Sequence, residues 1–344
     1  MQGKTKQRRS LLVTLADKNY IEQAKQLFSS VYHHAGWKGD YMLLSHNIPE
    51  KDLRWFKNKG ILIYKCPPLI KENVLKRKDC VKSISVLDKF YLFTPYFKRW
   101  NHIVFLDADI IVKAPLDELT EIKGFAAMED IISLRKQFLR EVPANETYKN
   151  LKKSYNLDSP SFNSGVFCFD TGIIKNTQLN NLKNLFLQYH QIQDKYSGEQ
   201  VALNLLLYKK WAPLKKIYNV YVSDIPFFCF DKPKRIKGVL HFVYHKPWKT
   251  KKYYYKEWLA NLKKSQLIDL SKRPKSKIFK DKEEFNCYSA YLERRLSSSP
   301  VMRKIRLSLY IDSLIGKAGI ALKHHSPRAY NRCIYLRQRL CSRI

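Results

Sequence analysis

The stretch FLDADIIV, residues 105–112, sets two carboxylates two residues apart in an otherwise apolar run. A sheet interior does not accept that pair without compensation, because burying an unpaired carboxylate is costly. Ile103–Leu106 is therefore expected to be a buried strand that delivers Asp107 and Asp109 where the chain leaves the sheet. In an extended chain, residues i and i+2 point to one face, so the two side chains would converge. The carboxyl ends of strands in α/β sheets are where ligands bind. Two carboxylates held that close repel unless a cation lies between them. A divalent metal resolves the conflict and bridges naturally to a diphosphate. The plain alternative is that one aspartate caps a loop and the other pairs with a lysine.

The flanking pattern supports an α/β chain. Leu11–Leu15, Tyr41–Leu44, Ile61–Tyr64, Ile103–Leu106, Phe125–Met128, Gly165–Phe169 and Val239–Phe242 are short apolar runs of strand length. Between them, Ile21, Ala24, Leu27, Phe28 and Val31 recur at helical spacing, with Asn19 and Glu22 three apart as a capping box. Val86, Leu87, Phe90 and Tyr91 suggest another helix, and two more are expected near 178–190 and 199–208. Strands alternating with helices imply a sandwich around a largely parallel sheet.

Composition narrows the class. At 45% hydrophobic and 27% charged, the 344 residues read as soluble and globular. Lys+Arg 64 against Asp+Glu 30 gives +34, a charge that attracts polyanions: nucleic acid, anionic lipid or phosphorylated substrates. Seven cysteines without a CxxC pair argue for a reducing compartment, against a disulfide framework and against a cysteine zinc site. The basic N-terminus carries an apolar stretch of only about six residues, short of a leader's ~7–15, and reads as a tail entering the first strand. No segment approaches the ~18–20 apolar residues of a membrane span.

A second constellation is HFVYHKPWK, residues 241–249. His241 ends a predicted strand, and Lys246-Pro247-Trp248 follows a short turn. One neutral imidazole with two carboxylates suits Mn²⁺ better than Mg²⁺, and Lys246 would add a point charge for phosphate oxygens. Alone, His241 is more simply a satisfied histidine at a strand end.

Taken in order, these segments resemble glycosyltransferase family 8, the group that includes glycogenin and bacterial lipopolysaccharide galactosyl- and glucosyltransferases. The resemblance spans roughly residues 10–250. It rests on VTLADKNY (13–20), SVLDKFYLF (85–93), FLDADIIV, FAAMED (125–130), FNSGVFCFD (162–170), GEQVALNLLLYKKWAPLKKIYNV (198–220) and HFVYHKPW (241–248). It implies a GT-A fold, a Rossmann-like mixed sheet flanked by helices, that takes a UDP-sugar and retains the anomeric configuration. By position, Asp107, Asp109 and His241 resemble the Mn²⁺ ligands, with Mg²⁺ as the alternative ion. Leu15, Ala16 and Tyr20 would contact the uridine. Lys89, Asp107, Ala108 and Lys246 would lie on the donor, while Asn163, Ser164 and Gly165 would line the sugar pocket. Asp130, Glu199 and Gln200 would be the catalytic and acceptor-side residues. Two departures stand out: Glu199-Gln200 replaces the family's Asp-Gln, and Tyr244 replaces a glycine in a motif one residue shorter.

The resemblance favours same-face attack over a Glu199 nucleophile. A catalytic domain is expected over residues 1–255, and the composition shift after about residue 250 marks a basic, mostly helical extension over 256–344. From Lys251 onward there are 23 Lys/Arg and 7 Asp/Glu. Leu307, Ile311, Leu314, Ala318 and Ala321 fall on one helical stripe, flanked by Arg303, Lys304, Arg328, Arg332, Arg337, Arg339 and Arg343. That pattern suits a peripheral anchor on an anionic, cytoplasmic membrane face, with a glycan or glycolipid acceptor. Ordinary packed helices with a basic face are the alternative. Two other functions are weighed: a glycogenin-like self-glycosylating protein using tyrosines 253–255, and a basic nucleic-acid-binding protein. No specific nucleic-acid motif is present in support of the latter.

Overall fold

A computed structural model describes residues 10–75, 81, 83–139, 146–222, 236–243, 246–251, 254–298 and 326. The first half alternates strand and helix: β1 (Ser10–Ala16), α1 (Ile21–His34), β2 (Asp40–Ser45), α2 (Glu50–Asn58) and β3 (Leu62–Lys65). A 3-10 helix over Ile84–Phe93 leads to β4 (His102–Leu106) and β5 (Ile110–Lys113). Then come β6 (Phe125–Ser133), α3 (Glu146–Ser154), β7 (Pro160–Asp170), α4 (Gln178–Tyr189), α5 (Gln200–Leu206) and β8 (Trp211–Pro213). β9 (Val220–Tyr221), β10 (Gly238–His241), α6 (Pro247–Thr250), α7 (Tyr255–Lys264) and α8 (Lys282–Ser298) complete the described elements.

Seven strands form the main sheet in the order β3-β2-β1-β4-β7-β6-β8. β3, β2, β1 and β4 run parallel, and β7 lies antiparallel to both β4 and β6. Successive residues of the central strands feed opposite faces. Leu12, Val104 and Leu106 enter one hydrophobic layer, and Leu11, Val13, Ile103 and Phe105 the other. A strand covered on both faces is apolar at nearly every position, which explains the runs in β1 and β4, where Thr14 is the one polar residue within Leu11–Leu15 and Ile103–Leu106.

FLDADIIV is not one strand. β4 ends at Leu106, and Ile110 opens β5 in a separate three-stranded sheet ordered β5-β10-β9. The aspartates lie at the crossing between the two sheets.

The capping box does not form. The Asn19 amide donates to Asp17 Oδ1 at 2.8 Å, and Glu22 pairs forward with Lys25 at 2.8 Å. The Asp17 turn comes first and leaves Tyr20, with no side-chain cap bond, at the start of α1. The expected helix around Val86–Tyr91 is the 3-10 helix, which Ser83 caps by accepting the Ser85 amide.

α7 packs against α1, and Trp258, Phe285 and Leu292 enter the same core layer as Leu27 and Phe28. The Tyr32 hydroxyl donates to the Asp269 carbonyl at 2.9 Å and ties this segment to the sheet layer. The stripe expected over Leu307–Ala321, and the arginines beyond it, lie outside the described residues. No described helix is long and apolar enough to cross a membrane.

Candidate active site

Three strand ends meet at the crossing. Asp107 follows β4, where its amide donates to the Gly165 carbonyl at 2.8 Å. Asp109 precedes β5, whose first residue, Ile110, pairs with His241 at the end of β10. One ligand atom from each of Asp107, Asp109 and His241 lies within 4.8 Å of the others. His241 Nε2 is 3.3 Å from Asp109 Oδ1 and 3.9 Å from Asp107 Oδ2. Gly165 makes the cluster possible, because a Cβ there would stand 2.3 Å from His241 Cε1 and 3.0 Å from Asp107 Oδ2.

The orientation of His241 is fixed by a directional chain of hydrogen bonds. The Gly165 backbone N–H donates to Asn163 Oδ1 at 2.9 Å. That oxygen also receives Asn219 Nδ2 at 3.1 Å. Asn219 Oδ1 is therefore left facing His241 Nδ1 at 2.9 Å and accepts its proton. Nε2 then faces the two carboxylates, the arrangement by which a ligating histidine is aligned. Two carboxylate oxygens and one imidazole nitrogen are a donor set that suits a divalent metal.

Asn219 was not among the sequence candidates. It is 3% exposed, but nothing in KKIYNVY distinguishes a buried polar residue from an exposed one. Asn219→Leu is expected to weaken Mn²⁺ binding about 10- to 100-fold by titration calorimetry. Asn219→Asp, which still accepts the Nδ1 proton, should restore most of that affinity.

Cations already flank the aspartates. Lys246 Nζ contacts Asp109 Oδ2 and lies 2.5 Å from the Phe242 carbonyl. Burial opposes ionisation of Asp109, but His241 and Lys246 outweigh it and hold the carboxyl far below its usual range. Tyr244 lies outside the described residues. The Tyr20 hydroxyl is pushed up to about 12 by burial, then by the charges of Asp109, Asp107 and Asp17. Tyr20 also meets Trp248 edge-on at 6.1 Å. Leu15 and Ala16 end β1, the strand alongside β4, and Ala108 is buried between the aspartates.

On the other side sits Lys89, 3% exposed. Its Nζ is 2.9 Å from Asp107 Oδ1, 2.5 Å from Glu199 Oε1 and 3.2 Å from the Ser164 carbonyl. Burial disfavours the ammonium, yet Asp107 and Glu199 raise its pKa above the ordinary lysine value. Glu199 Oε1 also accepts Ser164 Oγ at 2.8 Å, so this oxygen is committed to two donors. Gln200 Oε1 takes the Ser164 amide at 2.9 Å and Asn163 Nδ2 at 3.3 Å, while its Nε2 donates to Asp130 Oδ2 at 3.4 Å. One continuous network thus runs from Asp130 through Gln200, Asn163 and Asn219 to His241.

The model of glycosyl transferase family 8 matches residues 11–252. The chain belongs to this family. Glycosyltransferase GlyF of Streptococcus pneumoniae serotype 4 (strain ATCC BAA-334 / TIGR4) is 26% identical over 258 residues, which cover 70% of this chain and 58% of GlyF. GlyB of the same organism is 26% identical over 202 residues, 52% of this chain and 42% of GlyB. The chain thus spans roughly half the length of these curated relatives. The galactosyltransferase LgtC, solved with donor and acceptor sugar analogues, superposes with a TM-score of 0.55 at 18% identity. That match covers 74% of this chain and 95% of LgtC. The bifunctional glycosyltransferase WbbM gives 0.55 at 19% identity, over 78% of this chain and 53% of its own. These likenesses establish the GT-A fold for this family 8 chain.

Proposed function

We propose that this family 8 protein is a metal-dependent, retaining transferase that moves a hexose, glucose or galactose, from a UDP-sugar to a surface-glycan acceptor. The observation that carries the reading is the cluster of His241 Nε2 with Asp107 and Asp109, the imidazole being oriented by Asn219. A bound Mn²⁺ would neutralise the diphosphate and stabilise it as a leaving group. Lys246, paired with Asp109, would take up part of the same charge. Tyr20, Leu15 and Ala16 would receive the uridine, and Asn163, Ser164, Gly165 and Gln200 would orient the sugar. The Glu199 oxygen bound by Lys89 and Ser164 is a weakened nucleophile. That favours same-face attack, with the departing phosphate taking the acceptor proton.

We further propose residues 1–255 as the catalytic unit and the basic C-terminal region as a docking element for an anionic membrane face. A lipopolysaccharide-type or other glycolipid acceptor agrees with that placement. Self-glycosylation draws no support from Tyr254, which is 6% exposed.

The test is UDP release from a panel of UDP-sugars, with Mn²⁺ or with EDTA. One UDP-hexose is expected to be hydrolysed only with Mn²⁺. No release, together with no rise in melting temperature on adding UDP and Mn²⁺, would remove the proposal. Cosedimentation with phosphatidylglycerol vesicles should fall when residues 300–344 are deleted, and unchanged binding would remove the docking element.

A further inference from the structure

A cavity of about 780 Å³ opens at the Asp130 end of the hydrogen-bond network. One rim is β6, where Glu129 and Asp130 line it. Asp130 is the carboxylate that receives Gln200 Nε2, so this end of the cavity joins the network at the metal ligands. The opposite wall is α8, which contributes Asn286, Ser289, Ala290 and Glu293. α8 lies beyond residue 252, where the family match stops. It is anchored there: the Lys216 amide donates to Glu293 Oε2 at 3.1 Å, and the Tyr288 hydroxyl accepts the Lys237 amide at 3.0 Å.

The chemistry of the lining selects its occupant. In a chain carrying +34, this cleft gathers three carboxylates, Glu129, Asp130 and Glu293, against two lysines. Both lysines are paired: Lys215 with Glu118 at 2.8 Å, and Lys216 with Glu293 at 3.0 Å. A phosphorylated or uronic ligand would meet net negative charge. A neutral polyol would instead meet carboxylates, the Asn286 amide and the Ser289 hydroxyl, all of which bond hydroxyl groups. The volume lies within the ~300–1,000 Å³ of small-ligand sites.

We propose that this cleft binds a neutral oligosaccharide, the acceptor segment next to the sugar being extended, and that α8 sets which acceptor is used. The inference rests on the transferase reading and deepens it.

The test is saturation-transfer NMR on the full chain with UDP and Mn²⁺. The probes are maltotriose, cellotriose and chitotriose, with trigalacturonate as the charged comparison. At least one neutral trisaccharide should receive transfer and trigalacturonate none. Ala290→Trp, which fills the cleft from an exposed helix position, should cut that transfer fivefold or more. Asn286→Leu, also at an exposed position, is the second variant and should weaken it in the same direction. Equal transfer in both variants, transfer only to trigalacturonate, or none to any neutral sugar would overturn the cleft. UDP release measured on the same wild-type sample separates the two readings. Release without saccharide binding fails the cleft alone, and cleft-dependent saccharide binding without release fails the transferase reading.

Discussion

Lys89→Met is expected to lower the unfolding free energy by about 3–5 kcal/mol, the cost of breaking a buried ion pair from one side. Lys89 is 3% exposed, Glu199 is 6% exposed, and its ammonium bridges Glu199 and Asp107. Methionine fills much the same volume, so packing alone is not the main loss. What remains is a buried Glu199 carboxylate whose Oε1 keeps only Ser164 Oγ, with Asp107 facing it across the gap. The measurement is the urea midpoint of the full chain without metal. Lys89→Met combined with Glu199→Leu should recover part of the loss, because both members of the pair are then replaced. A single-variant loss below about 1 kcal/mol would mean that the three groups are screened like a surface pair. The same substitution should also reduce UDP release, since Asp107 loses the cation that faces it from the 3-10 helix.

The sequence made the fold class legible because the signals were local. Short apolar runs of strand length read as buried strands, and β1, β2 and β4 appear where those runs lie. Asp107, Asp109 and His241 were legible because their chemistry is unusual at strand ends, and the structure brings all three together. What escaped depends on long-range partners. Local spacing does not reveal that FLDADIIV divides between two sheets, since Ile110 is paired by His241, 131 positions further along the chain. Asn219 escaped for the same reason: its role comes from Asn163 and His241 and not from its neighbours in sequence. The capping box at Asn19 failed through local competition, because an Asp17 turn claimed the Asn19 amide first. Lys89 looked like a donor-side cation, and the fold shows what else it does: it neutralises two acids that would otherwise repel.

Asp109→Asn is the second large effect expected. The substitution keeps size and shape but removes the charge on which His241 and Lys246 converge. A bound cation that supplies several kcal/mol to a leaving diphosphate would be held only through Asp107, His241 and a neutral amide oxygen. At 1.36 kcal/mol per tenfold, losing about 3–4 kcal/mol lowers Mn²⁺-dependent UDP release by ~10²–10³-fold. The rise in melting temperature produced by UDP and Mn²⁺ should disappear in the same variant. The pattern across readouts decides between the two meanings of the aspartate pair. If Asp109 holds the metal, release and metal-induced stabilisation fall together while the metal-free protein remains folded. If Asp109 only anchors Lys246 at the entry to α6, the metal-free melting temperature falls and Mn²⁺-dependent release per folded molecule stays at the wild-type level. That second outcome would leave the crossing between the two sheets as a structural junction and remove the metal from the reaction.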